Sequence, residues 1–365
     1  MRIKRLVIVG LGLIGGSLGL ALKKGNIVEE IVGVDVDPAS LQGAPVIGAV
    51  HWATEDLGAA LDGAQLVVVA TPVGQIPQVF SEMAPYLTPE TLVTDVGSSK
   101  GMVVAAAQKH LPNPSQYIGG HPMAGSEQGG IAAAHAHLFE NAYYVLTPLE
   151  GQIAGLEVLR GLVKAVGAIP IIMSPEKHDQ VVAATSHLPH LVAAVLVNTL
   201  QGVAAGEDIY YSLAAGGFRD TTRIAAGDPY LWRDIFFSNK AALLEILEAF
   251  EGELALLKDQ ITADSEAEVV KTLHRARRTR QTIPQRGKGI LSPLYEIVIT
   301  LVDKPGAICQ VAFLLAEEGI NIVDIEILRV REGEGGTLRL GLASATDVDR
   351  AMRVLQGAGF LVRER

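Results

Sequence analysis

The sequence predicts an α/β fold with an N-terminal Rossmann-like doubly wound sheet, an all-helical middle domain and a C-terminal ferredoxin-like α+β domain. Three observations predict it. A G-x-G-x-x-G turn follows an apolar strand near the N-terminus. From Ser174 onward the apolar spacing becomes helical, and the C-terminal segment has the order βαββαβ. The predicted domains are 1–172, 173–281 and 294–365, with a linker at 282–293.

Composition excludes several classes of protein. At 365 residues the chain is long enough for two or three domains, and 49% of its residues are apolar. A net charge of −10 argues against a nucleic-acid partner, because phosphate binding needs a basic surface. The single cysteine, Cys309, allows no internal disulfide, which fits a cytoplasmic protein.

Two apolar stretches resemble secretory signals or membrane-spanning segments. The stretch MRIKRLVIVGLGLIGGSLGLALKKG starts with basic residues, as a secretory signal does, but glycines interrupt it. We expect a buried strand, a turn and a helix there. The stretch LPHLVAAVLVNTLQGVAAG is broken by Pro189, His190, Asn198 and Gln201. We therefore expect a buried helix and no membrane span.

The first element is an apolar strand over residues 3–9, as expected where both faces of a parallel sheet are covered. In the turn after it, Gly10 would permit the tight bend, Gly12 the close approach of a pyrophosphate, and Gly15 close packing of helix on sheet. The following helix offers free N–H groups and its positive dipole end to phosphates. The predicted cofactor-binding residues of this turn are Gly10, Gly12, Leu13, Ile14 and Gly15.

A second apolar strand, EIVGVDVD, leads to Asp35, about 20 residues beyond the third glycine. A carboxylate here accepts hydrogen bonds from the adenosine ribose hydroxyls and repels a 2′-phosphate. Val36 follows where an NADP enzyme would have a cation, so NAD is the predicted cofactor. The alternative is that Asp35 or Asp37 only caps a helix.

Further strand-like runs occur at residues 64–72, 91–101 and 141–148, separated by helical stretches. We expect them to extend the doubly wound sheet, whose ligands lie beyond the carboxyl ends of its strands. Polar residues that follow these strands should face that crevice, Thr71 among them as a cofactor contact. They are Thr71, Asp95, Ser98 and the loop of His121.

Several longer motifs occur together in this chain. They are GLGLIGGS, TDVGSSKG, GGHPMAGSE, SHLPH and GGFRDTTRIAAGDPYLWRDIF. In combination they resemble the prephenate dehydrogenases of tyrosine biosynthesis, over roughly residues 3–280. The resemblance implies an oxidative decarboxylation, in which prephenate and NAD⁺ give 4-hydroxyphenylpyruvate, CO₂ and NADH.

The resemblance also implies roles for individual residues. The family's catalytic histidine falls on His121, a general base for the ring hydroxyl of the substrate, and its orienting serine falls on Ser98. The essential arginine falls on Arg223, whose planar guanidinium suits a substrate carboxylate. The other implied substrate-binding residues are His190, Ser126 and Trp232.

Simpler interpretations of these residues stay open. Taken alone, His121 could be a loop histidine with satisfied hydrogen bonds, and Arg223 a surface or interdomain ion pair. His187 and His190 could suggest a metal site. No cysteine or acidic ligand cluster lies near them in the sequence, so no metal is predicted.

The middle segment has the pattern of long helices. Ser174 and Pro175 fit an N-cap and a first helical position. In residues 238–261, apolar residues recur every three or four positions, which predicts a face packed within the domain or against a second subunit. The family dimerises through its helical domain, so we expect a homodimer. The basic run at 274–280 is expected to be a solvated helix C-terminus.

The C-terminal segment carries DKPGAI at its first turn and GINIVDIE at its second strand. These motifs resemble an ACT domain, a small regulatory module that binds amino acids. The resemblance implies that Gly306 allows close approach of the backbone, and that Asp303 or Asn321 contacts an amino group. We expect feedback inhibition by L-tyrosine; the alternative is a structural or dimerising domain.

The leading prediction is therefore an NAD-dependent prephenate dehydrogenase with a regulatory domain. The nearest alternative acts on arogenate, since no carboxylate can be assigned to the amino group from sequence. A non-catalytic sensor of nucleotide and amino acid is a second alternative. A 2-hydroxy-acid dehydrogenase is a third, which the helical middle and GGHPMAG fit poorly.

Overall fold

The computed structural model describes residues 3–125, 128–283, 295–302, 304–328 and 336–364. The chain folds into two units, Met1–Gly289 and Ile290–Arg365. The linker predicted at 282–293 lies almost wholly outside the described residues, as do Ser126 and Asp303.

A five-stranded parallel sheet with the order β3-β2-β1-β4-β5 forms the base of the first unit. Its strands are β1 (Ile3–Val9), β2 (Val28–Val34), β3 (Trp52–Thr54), β4 (Leu66–Val69) and β5 (Leu92–Asp95). Its helices are α1 (Leu13–Gly25), α2 (Pro38–Val46), α3 (Leu57–Leu61), α4 (Ile76–Met83) and α5 (Gly101–His110). Alternate residues of β1 pack into separate cores on the two faces, which confirms the doubly wound arrangement. The strand order reverses between β1 and β4, which places the ligand crevice there.

The strand predicted at 141–148 does not join this sheet, so that part of the prediction is wrong. A second sheet has the order β6-β7-β8, from β6 (Gly119–Pro122), β7 (Tyr143–Thr147) and β8 (Ile169–Ile172), with α6 (Ile153–Ala165) between β7 and β8. Among the described residues one parallel bridge, Val93 to Tyr117, joins the two sheets. The ladder stops because the Gly120 N–H donates to the Asp95 side chain at 3.1 Å, instead of to a backbone carbonyl of β5.

Helices follow from Ser174 onward. They are α7 (Pro175–Val182), α8 (Leu188–Ala204), α9 (Asp208–Ser212), α10 (Gly216–Thr222), α11 (Pro229–Ser238), α12 (Lys240–Thr262) and α13 (Glu266–Thr282). Ser174 accepts the Lys177 N–H at 3.2 Å, which confirms the predicted N-cap. A π-helical turn, Ala183–His187, joins α7 to α8, and the Leu188 N–H reaches back to the Ala183 carbonyl. Pro189 has no N–H to donate, so the wider turn carries the helix past it.

The helix expected to be buried is largely exposed in the single chain. By length and composition alone, Pro175–Ala204 could cross a membrane, and 28% of its apolar window is buried. Core helices of non-membrane proteins pass the same test, so this is weak evidence. The side chains of Val195, Leu196 and Val203 are 53%, 38% and 61% exposed. Residues of α12 such as Leu254 are exposed as well, which leaves an apolar surface on this part of the molecule.

The second unit has the predicted βαββαβ order. Its elements are β9 (Tyr295–Thr300), α14 (Ala307–Glu317), β10 (Ile322–Leu328), β11 (Thr337–Leu342), α15 (Ala345–Gly357) and β12 (Leu361–Glu364). The strands form an antiparallel sheet of order β10-β11-β9-β12, with both helices over one apolar core. Gly306 has a φ of +88° at the start of α14, a conformation that favours glycine. Asn321 is exposed and directly precedes β10.

Candidate active site

The glycines of the first turn have the distinct roles that the motif predicts. Gly10 has a φ of +99°, and a Cβ atom there would lie 2.6 Å from the Ala70 carbonyl carbon. A Cβ on Gly15 would lie 1.9 Å from the Gly10 oxygen. A Cβ on Gly12 meets no atom within 4 Å. Gly10 and Gly15 are therefore required by the fold, whereas Gly12, at the N-terminus of α1, leaves open space in front of free helix N–H groups.

Asp35 is oriented by three backbone N–H groups at the carboxyl end of β2. Its Oδ2 accepts from Leu11 at 2.6 Å, and its Oδ1 accepts from Val36 at 2.8 Å and Asp37 at 2.9 Å. Oδ2 thus retains acceptor capacity for a ribose hydroxyl. Thr71 lies beside Gly10, and its Oγ1 is buried without a hydrogen-bond partner in the structure. The N-cap of α2 is instead Asp37, whose side chain accepts the backbone N–H groups of Ala39 and Ser40. These features fit a dinucleotide.

A buried ion pair lies next to strand β6, which carries His121. The carboxylate of Asp95 pairs with the ammonium of Lys100, and both side chains are fully buried. Lys100 also donates to the Gly120 carbonyl at 2.6 Å, and the Tyr117 hydroxyl donates to Asp95 at 2.7 Å. Because the Gly120 N–H binds Asp95 too, both backbone groups of the residue before His121 are held by this pair. The expectation that Asp95 faces the crevice is therefore wrong.

His178 and Asp179, on α7, connect the helical segment to His121. Asp179 accepts the N–H groups of Lys100 and Gly101 at 2.7 and 2.8 Å, at the positive end of α5. The Nδ1 of His178 lies 2.8 Å from Asp179 Oδ1. Its Nε2 lies 2.8 Å from the Nδ1 of His121. Three side chains thus form a chain of hydrogen bonds that ends at His121.

These partners assign the tautomers of both rings. The Asp179 carboxylate only accepts, so the proton of His178 lies on Nδ1 and its Nε2 accepts from the Nδ1–H of His121. The Nε2 of His121 therefore keeps its lone pair. Burial lowers the pKa of His121 well below its usual value, and the nearby His178 and Lys100 lower it further. His121 is accordingly a neutral ring with one nitrogen able to take a proton.

The pKa of Asp179 is lowered although the group is largely buried. Burial opposes ionisation, but the hydrogen bonds from His178, Gly101 and Lys100 outweigh it and hold the pKa below the usual range. The chain of hydrogen bonds thus ends on an ionised carboxylate.

A stacked pair of rings connects α8 with α11. The rings of His190 and Trp232 stack with centroids 3.5 Å apart, and burial lowers the pKa of His190. A Cβ on Gly227 would lie 2.8 Å from the Trp232 indole nitrogen and 3.3 Å from His190, so this chain segment passes over both rings. Arg223 begins a short 3₁₀ segment, Arg223–Ala226, that directly precedes Gly227, and Arg223 is exposed. The Nδ1 of His190 is buried without a hydrogen-bond partner in the structure.

Among the residues predicted from sequence, the structure stacks His190 on Trp232 and packs Gly15 against Gly10 in the first turn. Ser98 is half-buried on the loop between Asp95 and Lys100. Sequence reasoning missed His178, Asp179 and the role of Lys100. An adjacent His–Asp pair in the first turns of a helix, and a lysine in a glycine-serine loop after a strand, were the available signals.

Three family models match the chain in succession. They are the nucleotide-binding domain of prephenate dehydrogenase at residues 18–172, the dimerization domain of prephenate dehydrogenase at 174–275, and the ACT domain at 295–356. The chain belongs to the prephenate dehydrogenase family. The exposed apolar surface of α8 and α12 falls within the residues that the dimerization-domain model matches.

One relative matches nearly the whole chain, and two solved structures match about three quarters of it. The prephenate dehydrogenase of Bacillus subtilis is 37% identical over 96% of this chain and 95% of its own length. The structure of Aquifex aeolicus prephenate dehydrogenase with hydroxyphenyl propionate and NAD⁺ is 33% identical, with a TM-score of 0.74 over 78% of this chain and 99% of that one. Synechocystis arogenate dehydrogenase is also 33% identical, with a TM-score of 0.68 over 76% of this chain and 99% of that one.

Proposed function

We propose that this protein catalyses the oxidative decarboxylation of prephenate with NAD⁺, to 4-hydroxyphenylpyruvate, CO₂ and NADH. The observation that carries the proposal is the neutral His121, whose Nδ1–H is committed to His178 and whose Nε2 keeps its lone pair. A protein that only senses a nucleotide has no need of an oriented base. The family membership and the dinucleotide turn support the same reaction.

The reaction removes a hydride from the ring carbon that bears the hydroxyl, removes the hydroxyl proton, and breaks the bond to the ring carboxylate. Bound NAD⁺ supplies the hydride acceptor. The Nε2 of His121 takes the hydroxyl proton as general base. The positive charge that then forms on its ring is stabilised through His178 by the ionised Asp179. The electron pair of the broken carboxylate bond completes the aromatic ring, and the protonated His121 returns the proton to the ring oxygen, which is the hydroxyl of the product.

The remaining site residues bind and orient the ligands. We assign Gly10, Gly12, Leu13, Ile14, Gly15, Asp35 and Thr71 to NAD, whose pyrophosphate would lie at the N-terminus of α1. Ser98 would orient His121 and the substrate hydroxyl. Arg223 would hold a carboxylate of prephenate, with His190 and Trp232 lining the substrate. Ser126 is assigned to the substrate by resemblance alone.

The test is NADH absorbance in the presence of NAD⁺ and prephenate, repeated with arogenate. NADH formation from prephenate supports the proposal. A preference for arogenate, which the similarity to the Synechocystis enzyme makes the second candidate, would keep the mechanism and change the substrate. No NADH from either, with NAD⁺ binding intact, would overturn the proposal.

We further propose that the C-terminal unit binds L-tyrosine near Gly306 and Asn321, with Asp303 as a third contact suggested by resemblance. Calorimetric titration of tyrosine into the full chain and into Asn321→Ala tests this assignment. Tighter binding to the unchanged chain is expected. Equal binding to both chains would remove Asn321 from the site, and no binding to either would remove tyrosine.

The partner and domain assignments complete the proposal. The exposed apolar residues of α8 and α12 support a homodimer through the helical domain, and a biosynthetic role of this kind suits the cytoplasm. We place the functional domains at 1–172, 173–281 and 294–365, with a linker at 282–293. Light scattering of the purified chain decides the oligomeric state.

A further inference from the structure

His187 ends the π-helical turn and is a buried histidine to which the proposed mechanism gives no role. It is 1% exposed and sits against the same indole as His190, edge-on to Trp232 with ring centroids 6.4 Å apart. His187 and His190 are three residues apart, which places them on one face of the helix. A positive charge on His187 would also act on His121. The ring therefore contacts the aromatic group that we assign to the substrate, and its charge would affect the proposed base.

Asn239, between α11 and α12, fixes the proton position on this ring. Its Nδ2 lies 2.8 Å from the Asp179 backbone oxygen, and a carbonyl oxygen only accepts, so the amide nitrogen must face it. The same nitrogen lies 3.3 Å from the Nδ1 of His187. That Nδ1 must accept, because two N–H groups would repel each other. The proton of His187 therefore lies on Nε2, the reverse of the arrangement in His121.

His187 also stays uncharged at neutral pH. Burial lowers its pKa to about 4, although the nearby Asp179 acts in the opposite direction. The ring is thus an uncharged hydrogen-bond donor, held by a buried amide that is itself 5% exposed.

We propose that His187 donates its Nε2–H to a carboxylate oxygen of the substrate, and that Asn239 is the positioning residue that keeps the proton on that nitrogen. The inference rests on the proposed function and adds a residue to it. A carboxylate that leaves as CO₂ loses its negative charge toward the transition state, so a cation bound to it would stabilise the bound substrate more than the transition state. A neutral donor orients the same group without that opposing effect. The cationic Arg223 suits the carboxylate that stays on the product.

Two substitutions of His187 separate the hydrogen bond from the shape of the ring. His187→Gln keeps a neutral N–H donor, whereas His187→Phe keeps a flat ring and loses the donor. We expect kcat/KM to fall about 100-fold in His187→Phe and less than about tenfold in His187→Gln, because a lost bond to a charged group is costly. Circular dichroism and NAD⁺ affinity serve as checks that both variants are folded.

Two substitutions of Asn239 test the position of the proton. Asn239→Leu and Asn239→Asp both lose the hydrogen bond from the side-chain amide to the Asp179 carbonyl. Only the aspartate can accept a hydrogen bond from an Nδ1–H of His187. Nitrogen-15 spectra of the imidazole groups in the full chain should show His187 as the Nε2–H form in the unchanged protein. They should show an Nδ1–H in Asn239→Asp, whose kcat/KM should be lower than that of Asn239→Leu. An Nδ1–H form in the unchanged protein would overturn the inference.

These experiments distinguish a failure of the inference on His187 from a failure of the proposed function. If the unchanged protein makes NADH from prephenate while His187→Phe keeps the original kcat and KM, only the inference on His187 fails. If the unchanged protein makes no NADH, the proposed function fails. In that case, calorimetry of prephenate binding with NAD⁺ present decides the inference, and an equal Kd in His187→Phe overturns it.

Discussion

The Nδ1 of His121 lies 2.8 Å from the Nε2 of His178, and this contact decides which nitrogen of the proposed base is free. His178 in turn donates to Asp179, so the proton of each ring has one place along the chain of hydrogen bonds. The free nitrogen of His121 is therefore a property of the folded protein before any ligand arrives.

Replacing His121 removes the base and leaves the dinucleotide turn untouched. We expect His121→Asn to bind NAD⁺ nearly as well as the unchanged protein, with turnover lower by roughly 10²–10⁴. Single-turnover NADH formation and calorimetry with NAD⁺ measure the two quantities. Turnover equal to that of the unchanged protein would exclude His121 from the mechanism.

The pH dependence of the rate follows from the lowered pKa of His121. The base must be neutral to accept a proton, and burial moves its pKa below 6.5. We expect kcat/KM with prephenate to stay level through neutral pH and to fall only in acid, at an apparent pKa below that of a free histidine. An acid limb at or above the value of a free histidine would contradict this environment.

Two glycines of the first turn offer a matched pair of substitutions. Gly15→Ala places a Cβ 1.9 Å from the Gly10 oxygen, and we expect it to lower the free energy of unfolding by about 3 kcal/mol. Gly12→Ala meets no protein atom within 4 Å, so it should fold normally and bind NAD⁺ at least about tenfold more weakly. Urea unfolding and NAD⁺ calorimetry distinguish them. Unchanged NAD⁺ affinity in Gly12→Ala would place the pyrophosphate elsewhere.

The buried pair of Lys100 and Asp95 should matter far more for stability than a surface pair. Lys100→Met leaves a buried carboxylate unpaired, which we expect to cost about 3–5 kcal/mol. Arg5→Met, which breaks the partly exposed pair with Glu30, is the control and should cost about 1 kcal/mol or less. Urea unfolding of both variants gives the comparison, and similar costs would show that the buried pair is not held as described.

Acid should weaken the fold through His187. Its pKa is about 4 in the folded chain and 6.5 as a free group, so between these values the unfolded chain binds more protons. The free energy of unfolding therefore rises with pH in this window. The contribution of the neutral His187 to stability is lost as the pH falls through the same window. His187→Gln should show a shallower slope between about pH 6.5 and pH 4.5 in urea unfolding. His121 and His190 add slope of the same sign in both proteins, so an unchanged slope would count against a neutral His187.

The sequence pattern correctly predicted those features that depend on residues close together in the chain. The strand, the glycine turn and Asp35 follow from steric limits and spacing within one βαβ unit, and the structure confirms that arrangement. The place of Ser174 as an N-cap is local in the same way. The partner of His121 was not predictable, because His178 lies 57 residues away and meets it only after the helices pack.

Two expectations failed for reasons that lie outside any local pattern. The strand at 141–148 pairs with β6 rather than the parallel sheet, because the Asp95 side chain takes the N–H that would have continued the ladder. The apolar helix α8 was expected to be buried, and its surface is exposed in one chain. The sequence shows that the surface of α8 is apolar. It does not show whether the same chain or a second copy covers that surface.

Asp179, on α7, accepts the N–H groups of Lys100 and Gly101 at the start of α5 and also holds the ring of His178. The base is thus assembled from two segments that meet along one seam. Any opening motion that parts α7 from α5 also releases the His121 ring from its orienting partner. Orientation of the base therefore requires that α5 and α7 stay in contact while the ligands are bound.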